Sequence, residues 1–194
     1  MRADARKNYE LLLSVAHDVV TEHGADASLR DIARKAEVGL GTLYRHFPTR
    51  ESLLEALLRE DVDALTAESV RLEESRASEE ALIAWLRGCV ALNNEYRGVT
   101  SLLTAALEDP ESALYNSCVA LHDTGSRLLA RAQAEGMARA DVDGTDLFAL
   151  VAALAWLHDQ PALAPRADHL LGVVSSALLT GEAAYAVGQE RSRA

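Results

Sequence analysis

The chain has 194 residues, of which 49% are hydrophobic and only 5% aromatic. That composition suits one large globular domain or a small domain joined to a larger one, and excludes collagen-like and disordered classes. No run approaches the roughly 18 apolar residues of a membrane span, and MRADARKNYE lacks the apolar centre of a secretory signal, so a cytoplasmic protein without a membrane partner is expected. The formal charge of -11 is uneven: residues 1–50 carry eight basic and seven acidic side chains, residues 51–194 eleven and twenty-three.

Residues 6–24 predict a first helix. Tyr9, Leu12, Leu13, Ala16, Val19 and Val20 form one apolar stripe, and Gly24 closes it. Ser28 is placed to cap a short second helix, with Asp31 three residues on as the second half of a capping box. Leu29, Ile32, Ala33 and Ala36 repeat at helical spacing, and small Ala33 suits a close helix crossing. Val38 and Leu43 face inward from a turn and a third helix, and Phe47 is expected in the core. Thr42, Tyr44, Arg45 and His46 near the end of that helix combine hydroxyl, phenol, guanidinium and imidazole groups, a mixture suited to phosphates and base edges. Pro48 stops the helix and Thr49 caps the next. Arg2, Arg6, Lys7, Arg30, Arg34, Lys35, Arg45 and Arg50 supply local positive charge, which matters for DNA more than the total does.

The remainder reads as helix throughout. A fourth runs from about Thr49 to Glu74 over Leu53, Leu54, Leu57, Leu58, Val62 and Leu65, and a fifth from Ser78 to Tyr96. Gly98 ends the fifth, and a short helix to about Leu107 follows. Asp109 with Pro110 predicts the start of a seventh helix that extends to Ala134, with Gly136 as its stop. Thr145 caps an eighth to about Leu157, and a ninth spans about Arg166 to Leu179. After Gly181 a short fraying helix is expected.

Residues 28–53 read as a helix-turn-helix and the start of the following helix. They resemble the DNA-binding motif of the TetR family of bacterial transcriptional regulators, on Ile32, Ala33, Val38, Gly41-Thr42-Leu43-Tyr44, His46-Phe47 and Arg50-Glu51-x-Leu53. The C-terminal half, through Trp85, the Tyr96-Arg97-Gly98 turn and Leu128 to Gly136, is similar to that family's ligand and dimerisation domains, more loosely. The resemblance implies an all-α fold of about nine helices: a three-helix head at 1–50 and a ligand-binding and dimerisation domain at 51–194. It implies double-stranded operator DNA as partner, read by Ser28, Gly39, Gly41, Thr42, Tyr44, Arg45, His46 and Arg50. Two departures matter. Glu37 stands where this fold commonly turns on Gly, at a cost of roughly 1 kcal/mol if φ is positive. Gly39-Leu40-Gly41 replaces a small hydroxyl residue and a Lys, so readout leans on Thr42, Tyr44 and Arg45.

Ala149, Ala152, Ala153 and Ala155 on the eighth helix, and Gly172, Ser175, Ser176 and Ala177 on the ninth, lie among many Leu and Val. That surface predicts a homodimer through helices near 145–158 and 166–180. Trp85, Cys89, Asn93, Tyr115, Cys118, His122 and Trp156 are candidates for an effector pocket, apolar with a few placed polar groups. The two Trp also fit a plain core. With no evident excess of Lys or Arg there, the effector is expected to be neutral or cationic. There is no nucleotide-binding glycine loop, HExxH or GxSxG, and adjacent pairs such as His158-Asp159 point about 100° apart on a helix. No enzyme activity, metal or cofactor is therefore expected. Gating by a protein partner, or by oxidation of Cys89 and Cys118, is the competing reading; a helical enzyme or carrier with a vestigial head is the third.

Overall fold

The computed structural model describes residues 2–180, with side chains from Arg6 onward. The expected helix after Gly181 and the Arg2 side chain lie outside the described residues. Within them the chain forms α1 (Arg2–His23), α2 (Leu29–Lys35), α3 (Leu40–His46), α4 (Arg50–Ser75), α5 (Ser78–Glu95), α6 (Thr100–Glu108), α7 (Tyr115–Ala134), α8 (Gly144–Asp159) and α9 (Ala167–Leu178). No β-strand occurs among the described residues; one isolated antiparallel bridge pairs Ala138 with Leu179.

The chain divides into two compact units, Met1–Val62 with Glu95–Cys118 and Asp63–Asn94 with Val119–Ala194. The first has a core of Leu12, Ala16, Leu43, Phe47, Leu58, Tyr96 and Leu114, all fully buried or nearly so. Burying each Leu stabilises by roughly 2 kcal/mol. The second packs Leu82, Trp85, Leu86, Leu128, Leu129 and Leu147. There the end of α9 is tied to the turn after α7, with the Arg139 N–H donating to Leu178 O at 3.0 Å and the Thr180 N–H to Met137 O at 3.0 Å.

Local chemistry sets most boundaries. Gly24, Gly98 and Gly136 take positive φ (79°, 84° and 74°) where α1, α5 and α7 stop. At Gly24 the chain also passes close to Arg97: the Ala25 N–H donates to Arg97 O at 2.8 Å, and a Cβ on Gly24 would lie 3.0 Å from that oxygen. Thr49 and Ser52 cap α4 reciprocally, each backbone N–H donating to the other's hydroxyl.

Three expected caps differ. Asp109-Pro110 does not open α7. The Ser112 N–H donates to Asp109 O at 3.0 Å and the Glu111 N–H to Asp109 Oδ1 at 3.0 Å, a β-turn, and α7 begins only at Tyr115. Asp followed by Pro favours such a turn as strongly as a helix start. The α8 cap is Asp143 rather than Thr145: its carboxylate accepts from the Thr145 and Asp146 N–H groups, and Asp146 answers through the Asp143 N–H. At α2 only half of the box forms. The Asp31 N–H donates to Ser28 Oγ at 3.4 Å, but the Asp31 carboxylate takes Arg34 at 2.9 Å.

Candidate nucleic-acid interface

The head is built around a turn that the sequence makes costly. Glu37 sits at φ 55°, in the left-handed region, between α2 and α3. The Glu37 N–H donates to Arg34 O at 3.2 Å and the Val38 N–H to Ala33 O at 3.0 Å, which holds the strained residue in place. Buried Ile32 and Ala33 on α2 and Leu43 on α3 supply the apolar contact that fixes the crossing. Phe47 is buried in the core as expected, with its ring 5.1 Å from Tyr9.

On the outer side of α3, Tyr44 is 46% exposed, one of the large hydrophobic side chains left at the surface. Arg45 is folded back along the helix, with Nε donating to Gly41 O at 3.2 Å and Nη2 to Thr42 Oγ1 at 3.0 Å. Gly39, at φ -65°, caps α3 through its backbone only, and a Cβ on Gly41 would meet nothing within 4 Å. Ser28 is engaged as the α2 cap. His46 is half-buried, its ring 6.1 Å from Tyr9 and 6.3 Å from Phe47, so it packs on the aromatic corner as well as bordering the surface. Arg50 reaches Asp26 at 3.2 Å.

A hollow of about 420 Å³ brings Ser28, Tyr44 and Arg50 together with Asp26, Leu29, Arg30, Leu40 and Glu51. Arg30 was expected only as a source of local positive charge, and Leu40 was not expected at the interface; its signal was its position as the first residue of α3. Several cations of the head already have carboxylate neighbours: Arg6–Glu10 at 2.8 Å, Arg34–Asp31 at 2.9 Å and Lys35–Glu22 at 3.4 Å. All are exposed pairs, worth about 0–1 kcal/mol, and a phosphate can displace them.

The candidate effector residues fall in both units. In the second, Trp85 is 1% exposed and its indole lies against Gly125. Cys89 is buried, and the desolvation of its thiol raises its pKa far above the usual range. The Asn93 amide donates to Cys89 O at 2.9 Å, and the His122 ring stands 5.6 Å from that of Phe148. Trp85 Nε1 and Asn93 Oδ1 are buried without a hydrogen-bond partner. Trp156 is 55% exposed, outside the core. Half-buried Tyr115 and buried Cys118 belong to the first unit. Among the described residues no three His, Cys, Asp or Glu side chains gather into a metal-binding group, and no helix is long and apolar enough to cross a membrane.

Two family profiles match the chain. Residues 12–57 match the profile described as bacterial regulatory proteins, tetR family, and residues 77–179 that of the transcriptional regulator SbtR-like C-terminal domain. The second alone spans more than half of the sequence. The chain belongs to the TetR family. Its fold is accordingly all-α with an N-terminal helix-turn-helix, and its members are DNA-binding transcriptional regulators rather than enzymes, often gated by ligands. A solved TetR transcriptional regulator from Streptomyces coelicolor is 34% identical, with a TM-score of 0.62 over 88% of this chain and 98% of that one. A TetR regulatory protein from Mycobacterium vanbaalenii is 31% identical, with a TM-score of 0.57 over 92% and 99%. An HTH-type transcriptional regulator of Staphylococcus aureus (strain USA300) is 36% identical over 64 residues, 32% of this chain. The match spans 35% of that curated relative's length.

Proposed function

We propose that this TetR-family regulator is a dimeric repressor that a small, uncharged or cationic molecule releases from its operator. Each protomer lays residues 39–46 in a major groove, the two heads reading half-sites about one helical turn apart, and effector binding favours a state in which they no longer fit. The observation that carries this reading is the outer side of α3, where Tyr44 is exposed and Thr42 and Arg45 are joined by a hydrogen bond.

The outward sides of α8 and α9 support the dimer. Ala149, Ala153 and Trp156 on α8 and Val173 and Ala177 on α9 are exposed, with Leu150, Leu170 and Val174 half-buried among them. A monomer's surface helices rarely present so apolar a face. For the effector, Trp85, Cys89, Asn93 and His122 of the second unit form the proposed recognition set. The unpartnered Trp85 Nε1 and Asn93 Oδ1 support it, since buried polar atoms are usually hydrogen-bonded. No charged side chain is among the buried ones described, which disfavours an anionic ligand. Gating by cysteine oxidation is the weaker reading, because a buried thiol with a raised pKa supplies almost no thiolate.

Selection of bound sequences from random duplex DNA, followed by affinity measurements at fixed salt, tests the reading. Arg45→Ala and Tyr44→Phe should each leave the fold intact and weaken the selected site by roughly 1–3 kcal/mol where a base contact is lost. Unchanged affinity for both would remove the assignment of the readout face.

A further inference from the structure

Gly41 has no reason internal to the protein to be glycine. It lies in the first turn of α3 with ordinary helical backbone, and a Cβ there would meet open space. Gly24, Gly98 and Gly136 are explained by positive φ, and Gly88, Gly125 and Gly144 by a neighbouring side chain within 2.6 Å, 2.4 Å and 2.1 Å of a built Cβ. At an exposed helical site with space to spare, glycine only destabilises relative to alanine. The compensation has to come from something that is not part of this chain.

Arg45 indicates what that is. It stands four residues after Gly41, so the two share a helix face. Its guanidinium is drawn back, Nε onto Gly41 O and Nη2 onto Thr42 Oγ1, which commits one edge of the fork and shortens its reach from the helix. A retracted arginine touches a base edge only when the helix backbone itself comes close to the groove floor. A methyl at position 41, on the same face, would hold the backbone away.

Resting on the DNA-binding reading above, we propose that Gly41 is a specificity-determining residue. Its bare Cα admits α3 deep enough into the major groove for the pre-set Arg45 fork to bind a guanine in each half-site. Guanine presents O6 and N7 side by side as acceptors, the pattern that two parallel N–H donors of arginine match. Thr42 is the positioning residue, since its hydroxyl fixes the outer nitrogen of that fork.

The test compares wild type, Gly41→Ala, Arg45→Ala and Thr42→Val in two measurements: binding-site selection with affinity at fixed salt, and thermal stability. Wild type should select half-sites with one invariant guanine. Gly41→Ala should melt at the same or a higher temperature yet bind that site at least tenfold more weakly, with its guanine preference reduced. Arg45→Ala should lose the preference, and Thr42→Val should blunt it. Gly41→Ala binding as tightly as wild type overturns the proposal, as does Arg45→Ala still selecting the guanine. A Gly41→Ala variant that melts lower overturns it too, because the glycine then serves the fold. A wild-type protein that selects no sequence refutes the DNA-binding reading itself, a result distinct from all of these.

Discussion

One substitution, glycine to alanine, should have opposite effects on stability at three helical positions. At Gly41 the added methyl meets nothing within 4 Å. The helix therefore gains its propensity difference, roughly 0.8–1 kcal/mol. At Gly88 the methyl meets Leu65 Cδ1 at 2.6 Å, the far end of a flexible and only half-buried side chain, so a rotamer change relieves most of the clash. The net effect there should lie near zero. At Gly125 it meets Trp85 Cζ2 at 2.4 Å and Cε2 and Cη2 at 2.7 Å. That ring is rigid and 1% exposed, so it can yield only by displacing the core around it. Overpacking of this kind costs roughly 1–3 kcal/mol, and the rigid ring places the site at the upper end. After subtracting the propensity gain, Gly125→Ala should be about 2 kcal/mol less stable. For a chain of this size that lowers the melting temperature by roughly 4–8 °C. Urea and thermal unfolding followed by circular dichroism would measure the series, with indole fluorescence in a Trp156→Phe background reporting Trp85 alone. A Gly125→Ala protein at least as stable as Gly41→Ala would refute the reasoning.

The Tyr96 hydroxyl donates to Asp61 at 2.6 Å, and burial, then the neighbouring carboxylate, raises its pKa well above the usual phenol. The Tyr96 phenol ionises near pH 10 in the unfolded chain but not in the folded one, so its contribution to folding stability should be constant below that pH and fall above it. Tyr96→Phe should remove that share of the alkaline loss and cost roughly 1.5–3 kcal/mol at neutral pH; an unchanged alkaline profile would contradict this. Val173 is 50% exposed, so Val173→Glu should leave the fold intact but shift sedimentation to monomer; a wild type already monomeric at micromolar concentration would defeat the dimer reading. Both cysteines are buried, so a thiol reagent should label neither rapidly in the native state. Fast labelling would revive oxidative gating.

Local signals determined the helices and the head. Apolar stripes of period 3.6, caps such as Thr49, and glycine stops at 24, 98 and 136 act within a turn or two of chain, so they are legible without tertiary contacts. The strained turn at Glu37 was legible only through the resemblance to the family, whose fold commonly turns on Gly at that place; nothing in the local sequence marks a Glu for positive φ. Asp109-Pro110 shows the limit, since one local signal serves both a helix start and a β-turn, and the turn formed. Both Trp were expected in the core from their helical stripes, but only Trp85 is buried; Trp156 is exposed, because a stripe alone does not fix which side chain meets distant chain segments. Tertiary structure decided what depends on distant chain segments meeting: Trp85 against Gly125, Tyr96 on Asp61, and the hollow joining Arg30 and Arg50 to Tyr44. It also decided that a Cβ on Gly125 would meet a rigid buried ring while one on Gly41 would face open space. Whether a bare Cα relieves a clash inside the protein depends on which atoms surround it, and spacing along a chain does not encode that.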